Sequence, residues 1–373
     1  GVFLREFSGM ISKRFMLVAS LGLLAMIAAP ATFAAPAPTR WVNDDKPVVT
    51  APGQNCNKPG YNTIQSAINA SAPGDTVRVC AGNYAGAIVD RAVKLDGDHG
   101  AIIDSGPISH GILRTAFQFN MSQLPARPGS GATIQGFTIV GATQFGADDG
   151  MLDFGVFSRG TDNVTVYRND FSDLLQSITD WNGTNWDISH NDIADPWTRC
   201  GGGIGILVGG FDGTTAVTGN SVAHNDVHGT LQVSPTDCGG YSGTGIVLYS
   251  DHRSGRPGAL TITDTTVEKN DVDLTSDTPG VVDVTALELT VAGSTAPVIS
   301  GNLISKNKLG GAPGYGIVVS DGSQNNVLEH NHVKGATVFS CEDDSVGTGT
   351  AGTANTWDKN KGDSPSLPAG ICD

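Results

Sequence analysis

A short repeat constrains this chain more than any other feature. An apolar residue, two variable residues, Asn, one variable residue and a second apolar residue recur along most of its length. Val166, Asn169 and Phe171 fit, as do Ile188, Asn191 and Ile193. Val217, Asn220 and Val222 run on into Val222, Asn225 and Val227, and Val267, Asn270 and Val272 follow. Ile299, Asn302 and Ile304 lead into Ile304, Asn307 and Leu309; Leu328, Asn331 and Val333 come next, and Trp357 with Asn360 is a worn last copy. Asn tolerates the left-handed backbone and can bond its own backbone, so it turns the chain between short strands. The apolar residues on either side then point into a shared interior. A small residue followed by an aliphatic strand forms a second signature, at Gly155-Val156, Gly205-Ile206, Gly245-Ile246, Ala286-Leu287 and Gly316-Ile317. One such unit cannot bury its apolar face alone, so the pattern predicts an all-β solenoid of stacked rungs with capped ends.

Helical solenoids need apolar residues at 3.6 spacing, which the Gly, Asn, Thr and Val content contradicts. A β-sandwich would not repeat one Asn turn so regularly. The 50 glycines and 6% aromatics suit many tight turns and thin strands.

The first 35 residues read differently. Met10, Lys13 and Arg14 precede an apolar run from Phe15 to Ala29 and a small-residue stretch to Ala35. This order predicts a signal peptide cleaved after Ala34 or Ala35, with residues 1–9 ahead of the initiating Met. The run is shorter than the ~20 residues a membrane span needs. Residues 36–54 are expected to be a linker, 55–84 a cap, and 341–373 a C-terminal tail. The formal charge of −15 moves to about −17 without Arg5, Lys13, Arg14 and Glu6. Such a chain repels nucleic acid and anionic membranes at long range. Export also frames the six cysteines, whose even count suggests disulfides. Neighbour pairing gives Cys56–Cys80, Cys200–Cys238 and Cys341–Cys372; no Cys-x-x-Cys pair favours zinc. The expected location is extracellular, or periplasmic in a host with an outer membrane, and the expected state is a self-capped monomer.

Thr63 to Ala70 shows helical spacing at Ile64, Ala67 and Ile68; Pro73-Gly74 then turns into the strand Thr76–Cys80, followed by Gly82-Asn83-Tyr84. This stretch resembles the opening segment of the pectin-lyase-like superfamily: Thr-Ile-Gln-x-Ala-Ile, Pro-Gly-Asp-Thr, Gly-x-Tyr. The tail Gly349–Trp357 is similar to the end of bacterial members. The resemblance covers about residues 55 to 372 and implies a right-handed parallel β-helix with a short N-terminal capping helix. It says little about activity, because the superfold hosts pectate lyases, polygalacturonases, esterases, epimerases and proteins without assigned chemistry. The motifs of those enzymes are not reproduced: Asp148-Asp149 is isolated, Ser109-His110-Gly111 stands too far upstream, and Asp153–Phe157 is a faint echo of an esterase strand.

A lyase needs a base and a cation beside the substrate carboxylate. Tyr249, His252, Arg253 and Arg256 form the dense basic stretch that could supply them, with His252 and Arg253 as catalytic candidates. If the aliphatic residue of each second signature points inward, alternation turns Phe157/Arg159, Leu207/Gly209, Val247/Tyr249, Glu288/Thr290 and Val318/Ser320 outward. That strip carries few charges, which argues against a lyase. Trp186 takes a Val position and is expected in the core, whereas Trp181 and Trp197 fall in turns and could present flat faces to sugars. No cofactor is required by any motif. Ca²⁺, which takes six to eight oxygens, could sit on Asp148, Asp149 and Asp153, or on a row of Asp162, Asp212, Asp251 and Asp321 that also reads as turn caps. His224 and His228 flank Asp226 at a spacing that could hold a metal. The leading expectation is a secreted protein that binds extracellular polysaccharide; the alternative is a lyase or related enzyme acting on uronic-acid polymers. A periplasmic metal-handling protein ranks last, because no Cys or Met cluster suits copper.

Overall fold

The computed structural model describes residues 38–373, apart from 51–52, 121–126, 142–149, 200, 212–215, 234–242, 254–260, 281–283, 295 and 297. The Asn repeats form pairs of short strands with a sharp corner between them, as in Thr165–Tyr167 and Asp170–Ser172. The corner residue before each Asn is left-handed, for example Arg168 at φ 52°. The rungs stack in parallel into three long sheets of 11, 10 and 11 strands. The first runs from Thr39–Val42 to Thr356–Asp358, the second from Gly82–Ala85 to His332–Val333, and the third from Ala87–Ile88 to Ser366–Leu367. Ile108–His110 pairs antiparallel with Leu113–Gln118.

The interior is one apolar column of aligned residues, such as Val166, Ile188, Val222, Val267, Ile304 and Leu328, all fully buried. Its polar counterpart is an asparagine ladder. The Asn225 Nδ2 donates to the Ile188 carbonyl (2.9 Å) and to Asn270 Oδ1 (3.0 Å), and its own Oδ1 accepts from the backbone N and Nδ2 of Asn191 (both 3.0 Å). Asn169, Asn191, Asn225, Asn270, Asn307, Asn331 and Asn360 continue this bonding from rung to rung. Buried amides are tolerated here because every donor and acceptor is met.

The first-sheet strands from Thr165–Tyr167 onward are bordered by left-handed columns. Asn163, Asn185, Gly219, Asp264, Gly301 and Asn325 precede them, and Arg168, His190, His224, Lys269, Lys306, His330 and Lys359 follow them.

The helix Ile64–Asn69 caps the first rungs. Thr63 accepts from the Ser66 N–H, and Ile64, Ala67 and Ile68 are buried. One expectation changes: Thr39–Val42, assigned to a linker, is the edge strand of the first sheet. Val42 is buried, and Arg40 pairs with Asp75 at 2.8 Å, so this segment has both apolar and ionic reasons to dock. Disulfides join Cys56 to Cys80 and Cys341 to Cys372. The expected Cys200–Cys238 bond lies outside the described residues. Among those residues no helix is long and apolar enough to cross a membrane.

Candidate functional site

The third sheet carries the most elaborate outer surface. Alternation sends Ile178, Ile206, Ile246 and Leu287 inward, and their neighbours outward in two aligned rows. One row reads Thr179, Leu207, Val247 and Glu288. The other reads Arg159, Trp181, Gly209, Tyr249 and Thr290.

Gly209 explains the second row. A Cβ there would lie 2.6 Å from Trp181 Cζ3, so the indole rests across the position that glycine leaves open. Trp181 and Tyr249 thereby meet edge to face with ring centroids 5.8 Å apart, and Phe211 packs on Trp181 at 5.3 Å. These rings roof a second apolar cluster of Ile204, Leu207 and Val247, which point outward yet are buried.

A cleft of about 550 Å³ opens beside the rings. Its polar wall holds two carboxylates that are already hydrogen-bonded. Asp251, 1% exposed, receives Arg253 through Nη2 (2.6 Å) and Nε (2.9 Å), leaving the guanidinium largely exposed at the rim. Glu288 accepts from the hydroxyls of Thr244 (3.1 Å) and Thr290. Gln176 and Thr285 complete the polar wall. Four rungs at ~4.8 Å give the cleft a length of roughly 14 Å along the solenoid axis.

The sequence candidates are dispersed by this geometry. Tyr249, Arg253 and Trp181 line the cleft, Trp181 from the end of a strand rather than from a turn. His252 does not line it. Residues 249, 251 and 253 face one side, whereas His252 follows Ser250 on the other and bonds its hydroxyl at 2.7 Å. The expected base and cation follow the strand Thr244–Asp251 and point apart, His252 to Ser250 and Arg253 to Asp251. Trp197 is not an exposed platform either: it is 3% exposed, belongs to a strand, packs with Phe154, Phe157 and Leu175, and donates to the Asp173 carbonyl at 2.9 Å. Trp186 is in the core as expected.

Arg256, Asp148, Asp149 and Asp212 lie outside the described residues. Asp153 accepts the Arg114 backbone N–H at 2.7 Å, and Asp162 accepts from Thr184 and Arg127. These bonds give both carboxylates a structural role in turns. His224 and His228 diverge. His224 stacks on His190 at 5.0 Å, whereas His228 bonds Asp192 at 3.0 Å, close to Asp226. Burial alone would lower the His228 pKa, but the bond to Asp192 and the charges of Asp192, Asp226 and Asp195 raise it.

The third sheet hides one group that the sequence pattern passed over. Asp180 points inward in register with Val208, Leu248 and Leu289, and neither carboxyl oxygen has a hydrogen-bond partner. Burial, and then the nearby Asp162 charge, push its pKa well above the usual range, against the Gly183 amide and Arg127. The signal for Asp180 was an Asp at an inward strand position, in register with the aliphatic Val208, Leu248 and Leu289.

A family model described as "Right handed beta helix region" matches residues 126–360. The chain belongs to this right-handed β-helix family. A solved structure, the family 28 exopolygalacturonase of Yersinia enterocolitica, aligns over 87% of this chain and 78% of its own, at 11% identity and a TM-score of 0.33. A search of curated proteins found no match. As a right-handed β-helix, the protein presents its cleft on an outer sheet face, where residues from successive rungs vary without disturbing the interior.

Proposed function

We propose that this protein binds an extracellular polysaccharide in the cleft of the third sheet. The observation that carries the reading is the Trp181–Tyr249 pair seated across Gly209. A pyranose has an apolar C–H face that complements the electron-rich face of an aromatic ring, and its hydroxyls seek hydrogen bonds at the edge. The rings supply the first, and Gln176, Glu288 and Arg253 line the same cleft to supply the second. The roughly 14 Å length suits a short run of sugars laid along the rungs. The two disulfides are in keeping with an oxidising, extracellular setting.

Binding is favoured over elimination because His252 turns away from Arg253, and because Asp251 and Glu288 are each already engaged as acceptors. The test is calorimetric titration of the purified protein with neutral and uronic-acid oligosaccharides, alongside ultraviolet absorbance for unsaturated chain ends. Saturable binding with a flat absorbance trace is expected. Rising absorbance would replace the binding reading with a lyase.

A further inference from the structure

The column of left-handed residues that closes the first sheet has a composition its backbone does not require. In the column that opens the sheet, the same conformation is filled by Asn, Gly and Asp, the residues that adopt it most readily. In the closing column Gly136 holds the position in one rung, and the next seven rungs place Arg, His or Lys there, every one exposed. Lys and Arg number 22 and His 8 in 373 residues, about one residue in twelve. Composition does not produce seven consecutive choices at one register position, and neither does backbone preference. The side-chain chemistry is what the rungs share.

In the last three rungs the residue after the ladder Asn is basic as well. The corners read Lys306-Asn307-Lys308, His330-Asn331-His332 and Lys359-Asn360-Lys361. Each Asn is buried and locked into the ladder, and both neighbours are exposed. Lys308 is in register with His332, and His332 with Lys361. Lys306 and His330 donate their backbone N–H groups to the backbone carbonyls of Glu329 and Asp358 in the next rung. The result is a grid of two columns and three rungs, spaced at ~4.8 Å along the axis. In earlier rungs the position after the Asn holds Asp170, Asp192, Asp226 and Asp271, so the doubled cationic character is confined to the C-terminal end.

Acidic neighbours only partly offset the grid. Asp271 lies 3.7 Å from Lys308 and Asp358 lies 3.4 Å from Lys359, both as solvent-exposed pairs, and Glu329 and Asp358 border His330. Exposed pairs of this kind exchange readily for a better anion. The histidines add ring N–H donors in either protonation state.

We infer that this grid is a binding surface for a polyanionic glycan with a carboxylate or sulfate on successive sugars. A pyranose unit is close to one rung in length, so anionic groups along such a chain can meet one cationic rung after another. A long duplex nucleic acid would overrun the three rungs and meet the field of a chain with a formal charge of −15. The grid lies where the first and second sheets meet, and the inference does not rest on the reading of the third-sheet cleft.

The experiment is affinity electrophoresis of the full chain in gels containing polygalacturonate, dextran sulfate or neutral dextran. Retardation by a polyanion is expected, weakening roughly tenfold or more between ~50 and ~200 mM salt. The double variant Lys308→Glu/Lys361→Glu should lose about tenfold of that affinity at an unchanged melting temperature. Lys94→Glu, a charge reversal on the first sheet, should keep it. Retardation unchanged in the double variant, equal loss in Lys94→Glu, no retardation by either polyanion, or equally tight binding of a short DNA duplex would each overturn the assignment.

Discussion

The asparagine corner and the third-sheet cleft are built on the same rungs and solve opposite problems. At the corner, one residue type recurs, and each copy is bonded above and below, so the rungs are held in register by identical contacts. On the cleft face, the aligned residues differ at every rung: Arg159, Trp181, Gly209, Tyr249 and Thr290. Repetition gives a scaffold, and departure from repetition on a rigid scaffold gives a surface that can recognise something. The comparison also separates polar groups by their use. The corner amides are buried and fully bonded, whereas the cleft's Arg253 and Glu288 keep groups at the rim.

The sharpest way to break the comparison is to remove one ladder member. Asn225→Ala deletes the acceptor for two groups of Asn191 and the amide donor to the Ile188 carbonyl, and leaves Asn270 Oδ1 with the residue-225 backbone N–H alone. It is expected to cost about 3 kcal/mol in denaturant unfolding. A loss below ~1 kcal/mol would mean the corner is held by backbone pairing alone.

On the cleft side, Trp181→Ala should weaken glycan binding by about 2 kcal/mol, roughly thirtyfold, with little change in melting temperature. Gly209→Val should do the same by a different route, because its side chain would displace the indole by sterics alone. Equal binding in both variants would remove the aromatic pair from the site.

Much of this was legible in the sequence, for a physical reason. The Asn repeat encodes a local backbone conformation and a stacking contact in a few residues, so each copy can be read alone. Inward positions such as Trp186 followed from the same spacing. The cleft resisted because its contacts depend on register between strands separated by loops of uneven length. Trp181, Gly209 and Tyr249 are neighbours only once three rungs are aligned. His252 and Arg253 illustrate the opposite error: adjacent in sequence just past the strand Thr244–Asp251, they bond Ser250 and Asp251 respectively and point apart. Trp197 follows the left-handed Asp195 and so resembled an exposed turn residue, yet its ring closes over Phe154, Phe157 and Leu175.

A smaller effect sharpens the contrast inside the third sheet itself. Asp180 and Asp343 occupy the same inward row. Asp343 receives Trp357 Nε1 at 2.7 Å and Asn355 Nδ2 at 3.1 Å, whereas Asp180 has no hydrogen-bond partner. Because the folded-state pKa of Asp180 is raised, the folded protein keeps a proton that the unfolded chain releases above pH ~4. Its favourable contribution is present at low pH and is lost as pH rises towards the folded pKa. Asp180→Asn should therefore stabilise the protein by about 1 kcal/mol near neutral pH, with the gain shrinking at pH ~4. Melting temperatures at several pH values test this, and a gain independent of pH would contradict it. Asp343→Asn should show the opposite sign, a loss of about 1 kcal/mol, because it weakens acceptors for the indole and amide donors.

The most direct test of the central claim is calorimetric titration of the intact protein and of Trp181→Ala with the same panel of oligosaccharides. Saturable binding of at least one glycan by the parent, and its loss by about thirtyfold in the variant at an unchanged melting temperature, is the predicted result. Binding that survives the substitution undiminished, or the absence of binding to every glycan, would contradict the account.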